Sequence, residues 1–225
     1  MTILKRVAAK LPESWQAELK RLHFSRQLKN GTFNTDEPEY GILDSLIKPG
    51  DWVLDVGANV GHYTKRFSEL VGTGGRVVAF EPVPETMALL AANVRKFKFP
   101  NVTLFNTAVS DRVDVVGMSL PKFASGLTNY YEANLTSSQD AQLTVLTVPI
   151  DALFLDRPIA LIKIDAEGHE AFVLAGMNKL IRTRRPTLIV ETGSEEVINS
   201  LTSLKYEAER LPGSPNVLFR PQAML

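Results

Sequence analysis

Cysteine is absent from all 225 residues. Its absence excludes disulfides, thiolate zinc sites and cysteine nucleophiles, and leaves the redox compartment open. No apolar run approaches the roughly 20 residues needed to span a bilayer, and the first residues carry no signal-peptide h-region. We therefore expect a soluble, cytoplasmic protein. Net charge is also missing: 25 Lys and Arg balance 25 Asp and Glu, which argues against a basic nucleic-acid binder. No internal repeat is visible. What remains is an ordinary globular make-up, 44% hydrophobic and 22% charged, enough to bury one sizeable core.

The charge that is present is unevenly placed. In the first thirty residues Lys5, Arg6, Lys10, Lys20, Arg21, Arg26 and Lys29 face only Glu13 and Glu18. Ile3, Leu4, Val7, Ala8 and Leu11 recur at helical spacing, predicting a basic amphipathic helix, with a second over Ser14 to Leu28. Such helices serve either as a membrane-surface or partner contact, or as a lid packed on the core with a solvated basic face. Tyr40 to Ile47 reads as a short helix ending at Pro49-Gly50.

From there strands and helices alternate. Strands are predicted at Trp52–Val56, Arg76–Phe80, Val102–Asn106, Ala160–Ile164 and Thr187–Glu191, with helices near Gly61–Val71, Pro84–Phe97, Glu170–Arg182 and Glu195–Ser203. Val113–Leu120 and Leu143–Val148 are two further strands enclosing a polar insertion, residues 121–142. Tyr206–Leu211 and Asn216–Arg220, joined by Pro212-Gly213-Ser214-Pro215, suit an antiparallel pair. The expected fold is α/β, a seven-stranded mostly parallel sheet with an antiparallel terminal strand and helices on both faces. This is a Rossmann-like, class I methyltransferase architecture, with residues 1–48 as a helical extension and 49–225 as the main domain.

The most informative stretch is LDVGANVGHYT, Leu54 to Thr64. A buried strand runs into a turn flanked by Gly57 and Gly61 and then opens a helix, whose free N–H groups suit an anion. The glycines leave room for a ligand to lie on the backbone. Their G-x-x-x-G spacing lacks the middle glycine of a dinucleotide loop, and His62-Tyr63 stands where a Walker loop needs Lys-Ser/Thr. Both readings are thereby disfavoured. Glu81 ends the next strand about 20 residues on, placed to take both ribose hydroxyls of a nucleoside. Turn and acid together outline S-adenosylmethionine.

With FEPVPETMALLAAN (Phe80 to Asn93), NTAVSD (Asn106 to Asp111) and IKIDAEGHEAFVLAGM (Ile162 to Met177), the chain resembles the FkbM family of S-adenosylmethionine-dependent methyltransferases. The likeness covers about Glu37 to Glu191. It implies an O-methyltransferase acting on a hydroxyl of a sugar, glycan or natural product. It also implies that an acidic residue at Glu37 or Glu39 can face the methionine end of the cofactor, against a solvated helix start as the plainer reading. Rival readings are a cofactor-binding module without turnover and, less favoured, a nicotinamide oxidoreductase.

Ligands in such sheets bind beyond the carboxyl ends of the strands. Those positions hold Asp55, which reaches either the cofactor ammonium or the glycine loop; Asn59, a ligand contact or a helix cap; and Ser110 and Asp111, where related folds bind the adenine amino group. They also hold Asp165, His169 and Glu191, the residues expected to carry catalysis. His169 is a candidate general base or a helix-start histidine bonded to a carboxylate. Asp165 and Glu191 could instead share a Mg²⁺ that acidifies the acceptor hydroxyl, although Glu191-Thr192 departs from the Asp-Asn pair of metal-dependent O-methyltransferases. Phe123, Asn129, Tyr130, Tyr131 and Asn134 of the insertion suit a polyhydroxylated acceptor ring, or belong to a plain lid.

Overall fold

Residues 11–124, 126–136, 141–153 and 157–222 are described by the structure, a computed structural model. The first basic helix expected from the sequence lies outside them but for Leu11. The second is present as α1 (Glu13–Asn30), stopped by Gly31 in the left-handed region at φ 71°. The Gly31 and Thr32 N–H groups close back on the carbonyls of Leu28 and Gln27. A turn of 3-10 helix (Pro38–Ile42) and the short α2 (Leu43–Leu46) replace the single helix expected at Tyr40 to Ile47.

The alternating region runs β1 (Trp52–Val56), α3 (His62–Val71), β2 (Arg76–Phe80), α4 (Pro84–Val94) and β3 (Val102–Phe105). Four strands follow, β4 (Ala108–Val109), β5 (Asp114–Ser119), β6 (Asn134–Thr136) and β7 (Leu143–Val148). The alternation then resumes with β8 (Ile159–Ile164), α5 (Glu170–Ala175), α6 (Asn178–Arg184), β9 (Thr187–Glu191), α7 (Glu195–Ser203), β10 (Tyr206–Arg210) and β11 (Asn216–Pro221). Seven strands form the main sheet in the order β10-β11-β9-β8-β1-β2-β3. Only β11 opposes its neighbours. It is last in the chain but lies one place in from the edge, because the tight Pro212–Pro215 turn folds it back between β9 and β10.

Successive residues of the central strands are buried on opposite faces. Leu54, Val56, Val78, Ile162 and Val190 pack on one side, and Val53, Val77, Leu161 and Ile189 on the other. Runs without a polar face are what a sheet covered on both sides requires.

One feature adds to the sequence expectation and another differs from it. The two further strands, β5 and β7, stand outside the seven-stranded sheet and build a second, four-stranded one in the order β4-β7-β5-β6. The helix expected from Glu170 to Arg182 is broken between α5 and α6. A Cβ on Gly176 would lie 1.9 Å from the Ser110 carbonyl oxygen, so the chain passes too close to β4 for any larger residue. Beyond the break the Asp151 carboxylate accepts from the N–H groups of Lys179 and Leu180 at 2.8 and 2.9 Å, capping α6 from outside the helix. Among the described residues no helix is long and apolar enough to cross a membrane.

Candidate active site

Registers bring four strand ends together. Val56 is level with Phe80 on one side and Ile164 on the other, and Ile164 is level with Val190. The next residues, Gly57, Glu81, Asp165 and Glu191, therefore stand along one edge of the sheet. Strand order reverses at β1, so this edge carries the crevice where such sheets bind ligands.

The turn after β1 is held by its neighbour. Gly57 and Ala58 both donate to the Phe80 carbonyl, at 3.0 and 2.9 Å, and Asn59 donates its backbone N–H to Glu81 Oε2 at 2.9 Å. Asn59 sits at φ 47°, with its side chain accepting from the Val60 N–H. The N-cap of α3 is Gly61, which has no side chain to cap with. Gly57 lines both hollows of the site, while the space a side chain would take at either glycine belongs to protein. A Cβ at Gly57 would be 1.9 Å from the Asp165 carbonyl oxygen, and one at Gly61 would be 2.6 Å from Leu90 Cδ1. Protein fills both spaces, and both residues have positive φ.

Gly57→Ala is accordingly expected to destabilise the fold by about 3 kcal/mol or more, since neither the left-handed φ nor the backbone oxygen can give way. Gly41→Ala, where the Cβ meets nothing within 4 Å, is the control. Thermal denaturation of both variants checks it, and equal melting temperatures would overturn the packing argument.

Glu81 is 5% exposed. Its second oxygen accepts from the Val83 N–H at 2.9 Å. Burial pushes its pKa up to about 7 despite these two backbone donors. The carboxylate borders a cavity whose lining combines apolar Phe80, Val83, Ala108, Met118 and Leu135 with polar Asn59, Tyr130, Asp165, Glu167 and His169. Thr107 and Val109 also line it, but Ser110 and Asp111 do not. Ser110 is instead brought to His169, its hydroxyl 2.9 Å from Nε2 and 3.1 Å from Asp111 Oδ1. The cause is β4, which turns away from the main sheet to pair with β7.

A second hollow shares Gly57, Asn59 and Asp165 with the first and is lined by Glu37, Asp55, His62, Tyr63 and Lys163. Asp55 is 1% exposed, and burial raises its pKa to about 6. One oxygen accepts from Thr64 Oγ1 at 2.6 Å, tying β1 to α3 rather than to the glycine loop, and the other has no protein partner.

Lys163 is the residue sequence reasoning passed over. It is 2% exposed, with Nζ 3.1 Å from Asp165 Oδ2 and 4.7 Å from the Tyr63 ring centroid. Burial alone would lower its pKa. Asp165, Asp55 and Glu37 outweigh that and raise it. A lysine inside an otherwise apolar run, two residues before an aspartate, was the available signal.

Glu37 and Glu39 share the Tyr63 hydroxyl, at 2.5 and 2.9 Å. Glu39 is fully buried and also takes bonds from Ser214 (2.6 Å) and Asn216, so it is no solvated helix start. Burial raises the Glu37 pKa, whereas at Glu39 burial is outweighed by its hydrogen bonds and the pKa falls.

A third hollow opens beside Glu191, Thr192, Glu167 and Glu170. Burial first, and then Asp165, push Glu191 and Glu167 each up to about 7. His169 lines the cavity beside Glu81. Burial lowers its pKa, and its ring stacks on Phe172 at 4.6 Å. Its partner is the Ser110 hydroxyl rather than a carboxylate. Glu170 instead accepts from the backbone N–H groups of Ala166 and Gly168.

The alternative of a Mg²⁺ shared by Asp165 and Glu191 finds no support. Among the described residues no group of three or more His, Asp and Glu could hold a metal ion, and Asp165 spends an oxygen on the Lys163 ammonium.

These raised carboxylates predict a pH dependence of stability. In the unfolded chain Asp and Glu titrate near about 4. Asp55 at about 6 and Glu81, Glu167 and Glu191 at about 7 keep protons that the unfolded chain has lost. Stability of the ligand-free protein should therefore fall as pH rises through that window. Glu39, His62 and His169, all with lowered pKa values, act oppositely: the Glu39 contribution is complete above the unfolded carboxylate value, and the two histidines add stability only up to their unfolded value of about 6.5, against four carboxylates. Scanning calorimetry should give a higher melting temperature near about pH 5.5 than near about pH 8; a rise instead would refute these assignments.

Solved structures share this architecture. A methyltransferase from Geobacter sulfurreducens superposes with a TM-score of 0.52 at 15% identity, covering 94% of this chain and 93% of that one. An FkbM methyltransferase from Methylobacillus flagellatus KT does so with 0.55 at 16% identity, covering 80% and 50%. The fold is that of the class I methyltransferases. The chain belongs to the methyltransferase FkbM domain family, which matches residues 55–207. It is 32% identical to the 31-O-demethyl-FK506 methyltransferase FkbM of Streptomyces tacrolimicus, over 58% of this chain and 61% of that protein. To the hexuronic acid methyltransferase AglP of Haloferax volcanii it is 27% identical, over 71% and 63%. The chain thus spans less than two thirds of the length of either relative.

Proposed function

We propose that this protein is an S-adenosylmethionine-dependent O-methyltransferase that acts on a hydroxyl of a sugar, glycan or natural product. The observation that carries the proposal is the placement of the buried Glu81 carboxylate, pinned to the glycine turn, at the wall of a mixed apolar and polar cavity that shares Gly57, Asn59 and Asp165 with the acidic second hollow. The apolar residues of that cavity suit an adenine ring, a strand-end carboxylate suits a ribose diol, and carboxylates beyond suit the cationic end of the same ligand. The ligand fits the residues present.

When bound, the cofactor supplies an electrophilic methyl group on a sulfonium. Glu81 would accept from the ribose hydroxyls, and Val83, Ala108 and Met118 would pack on the base. Asp55, with one buried oxygen lacking a protein partner, would take the ammonium. Asp165 borders both hollows, so we assign it the acceptor hydroxyl: it orients that oxygen and takes its proton as the bond to carbon forms. Lys163 holds Asp165 in place. Glu191 and Glu167 border the third hollow, on the side left for the acceptor, and their raised pKa values suit proton uptake near neutrality. Tyr130 and Leu135 of the insertion line the cavity beside Glu81, so we assign that segment to nucleoside enclosure rather than acceptor choice; the Tyr131 side chain lies outside the described set.

The names of the FK506 and hexuronic acid relatives support the acceptor class. Calorimetry with S-adenosylhomocysteine and with NAD tests the cofactor, and mass spectrometry for the mass of one added methylene across a panel of glycosides and macrolides tests transfer. Binding of NAD alone would overturn the reading. Binding of S-adenosylhomocysteine with no product from any hydroxylated acceptor would leave a cofactor-binding module instead.

A further inference from the structure

α1 is apolar on two opposite faces, and among the described residues only one of them is packed. Inward, Phe24 and Leu28 pack with Phe33, Val60 and Leu89. Outward, Trp15, Leu19 and Leu22 are 65%, 46% and 58% exposed. Their spacing of four and then three residues makes one stripe on the helix surface, and the same row continues through Arg26 and Lys29, both exposed. An amphipathic helix that served only as a lid would need no second apolar face.

We infer that this outward face of α1 docks on an anionic lipid bilayer. Charge selects that occupant. The first thirty residues carry seven Lys and Arg against two Glu in a chain of zero net charge, so the rest is correspondingly acidic. Glu18, exposed beside the stripe, is bridged to Arg21 at 3.0 Å. Met1, Ile3, Leu4 and Val7 alternate with Lys5, Arg6 and Lys10, extending in sequence the same mixture of apolar and basic residues. A second copy of the chain would set like charges against each other across a symmetric contact, and a nucleic acid would leave the apolar stripe unexplained. A bilayer with acidic headgroups takes both: the tryptophan and leucines enter the headgroup boundary while the cations stay with the phosphates.

Docking there would also orient the cofactor cavity. Lys20, on the inner side of α1, stands 4.5 Å from the Tyr130 ring centroid, and Tyr130 lines the cavity beside Glu81. The rim of that cavity is thus connected directly to the docking helix.

The test is co-sedimentation of the full chain with vesicles of phosphatidylcholine containing phosphatidylglycerol, and with phosphatidylcholine alone. Binding is expected to the anionic vesicles only, with release at high salt. The double variant Leu19→Ser, Leu22→Ser should weaken partitioning by about tenfold or more, since two exposed leucines lose their burial in the bilayer. Its melting temperature and its affinity for S-adenosylhomocysteine should stay those of the parent. No partitioning, equal partitioning onto both vesicle types, or an unaffected double variant would overturn the inference. So would a dimer in light scattering that the double variant dissociates, which would make a second copy the occupant.

Discussion

Asp165→Asn is expected to lower turnover by about 10²- to 10⁴-fold, the usual worth of a positioned proton acceptor. Asparagine keeps the shape and one oxygen, so the backbone bond from the Asp165 N–H to Val56 and the packing against Gly57 survive. What goes is the anion. Lys163 then loses the negative charge of its partner at 3.1 Å but keeps the Asp55 and Glu37 carboxylates within its field. The variant should therefore fold, and it should bind S-adenosylhomocysteine within about threefold of the parent, a difference well under 1.4 kcal/mol. Single-turnover kinetics beside calorimetry separates the two effects. Retained turnover would move proton removal to Glu191 or Glu167, and lost binding would make Asp165 a cofactor ligand.

Glu81→Ala should act in the opposite sense, on binding before chemistry. A carboxylate bonded to a ribose diol makes two charge-assisted hydrogen bonds, each worth about 1.5–3 kcal/mol. Losing both is expected to weaken S-adenosylhomocysteine binding by about 100-fold or more. A second cost falls on the free protein. The backbone N–H groups of Asn59 and Val83 lose their acceptor, at about 1–3 kcal/mol for each one left buried and unpaired. The alanine variant should thus melt earlier as well. Glu81→Gln controls for this, since it keeps one carbonyl oxygen for the turn while losing the charge. If calorimetry gives the alanine variant the parent's affinity, Glu81 is a structural anchor of the glycine turn and the nucleoside site lies elsewhere.

The two variants also divide the site by how it could be read. Glu81 and Asp165 each follow an apolar run that ends level with β1, and position after a strand is a local property. That is why the strand ends were legible. His169 and Ser110 were legible as residues but not as partners. Their meeting depends on β4 leaving the main sheet, and a two-residue strand carries no periodicity to announce that. Glu39 looked like a surface residue because its partners Ser214 and Asn216 lie far along the chain, in the turn before β11 and at its start. The close approach at Gly176 was hidden for the same reason, since the Ser110 carbonyl it packs against belongs to another part of the chain.

By itself the sequence determined the sheet, its strands and the edge on which ligands collect, because burial on both faces and strand–turn–helix chemistry are written within a few neighbouring residues. Tertiary structure alone decided the electrostatics: which carboxylates are buried, that Lys163 is set among them, and that Glu81, Glu167 and Glu191 titrate near neutrality. Charge interactions and desolvation depend on distance in space, and the groups concerned come from strands that only folding brings side by side.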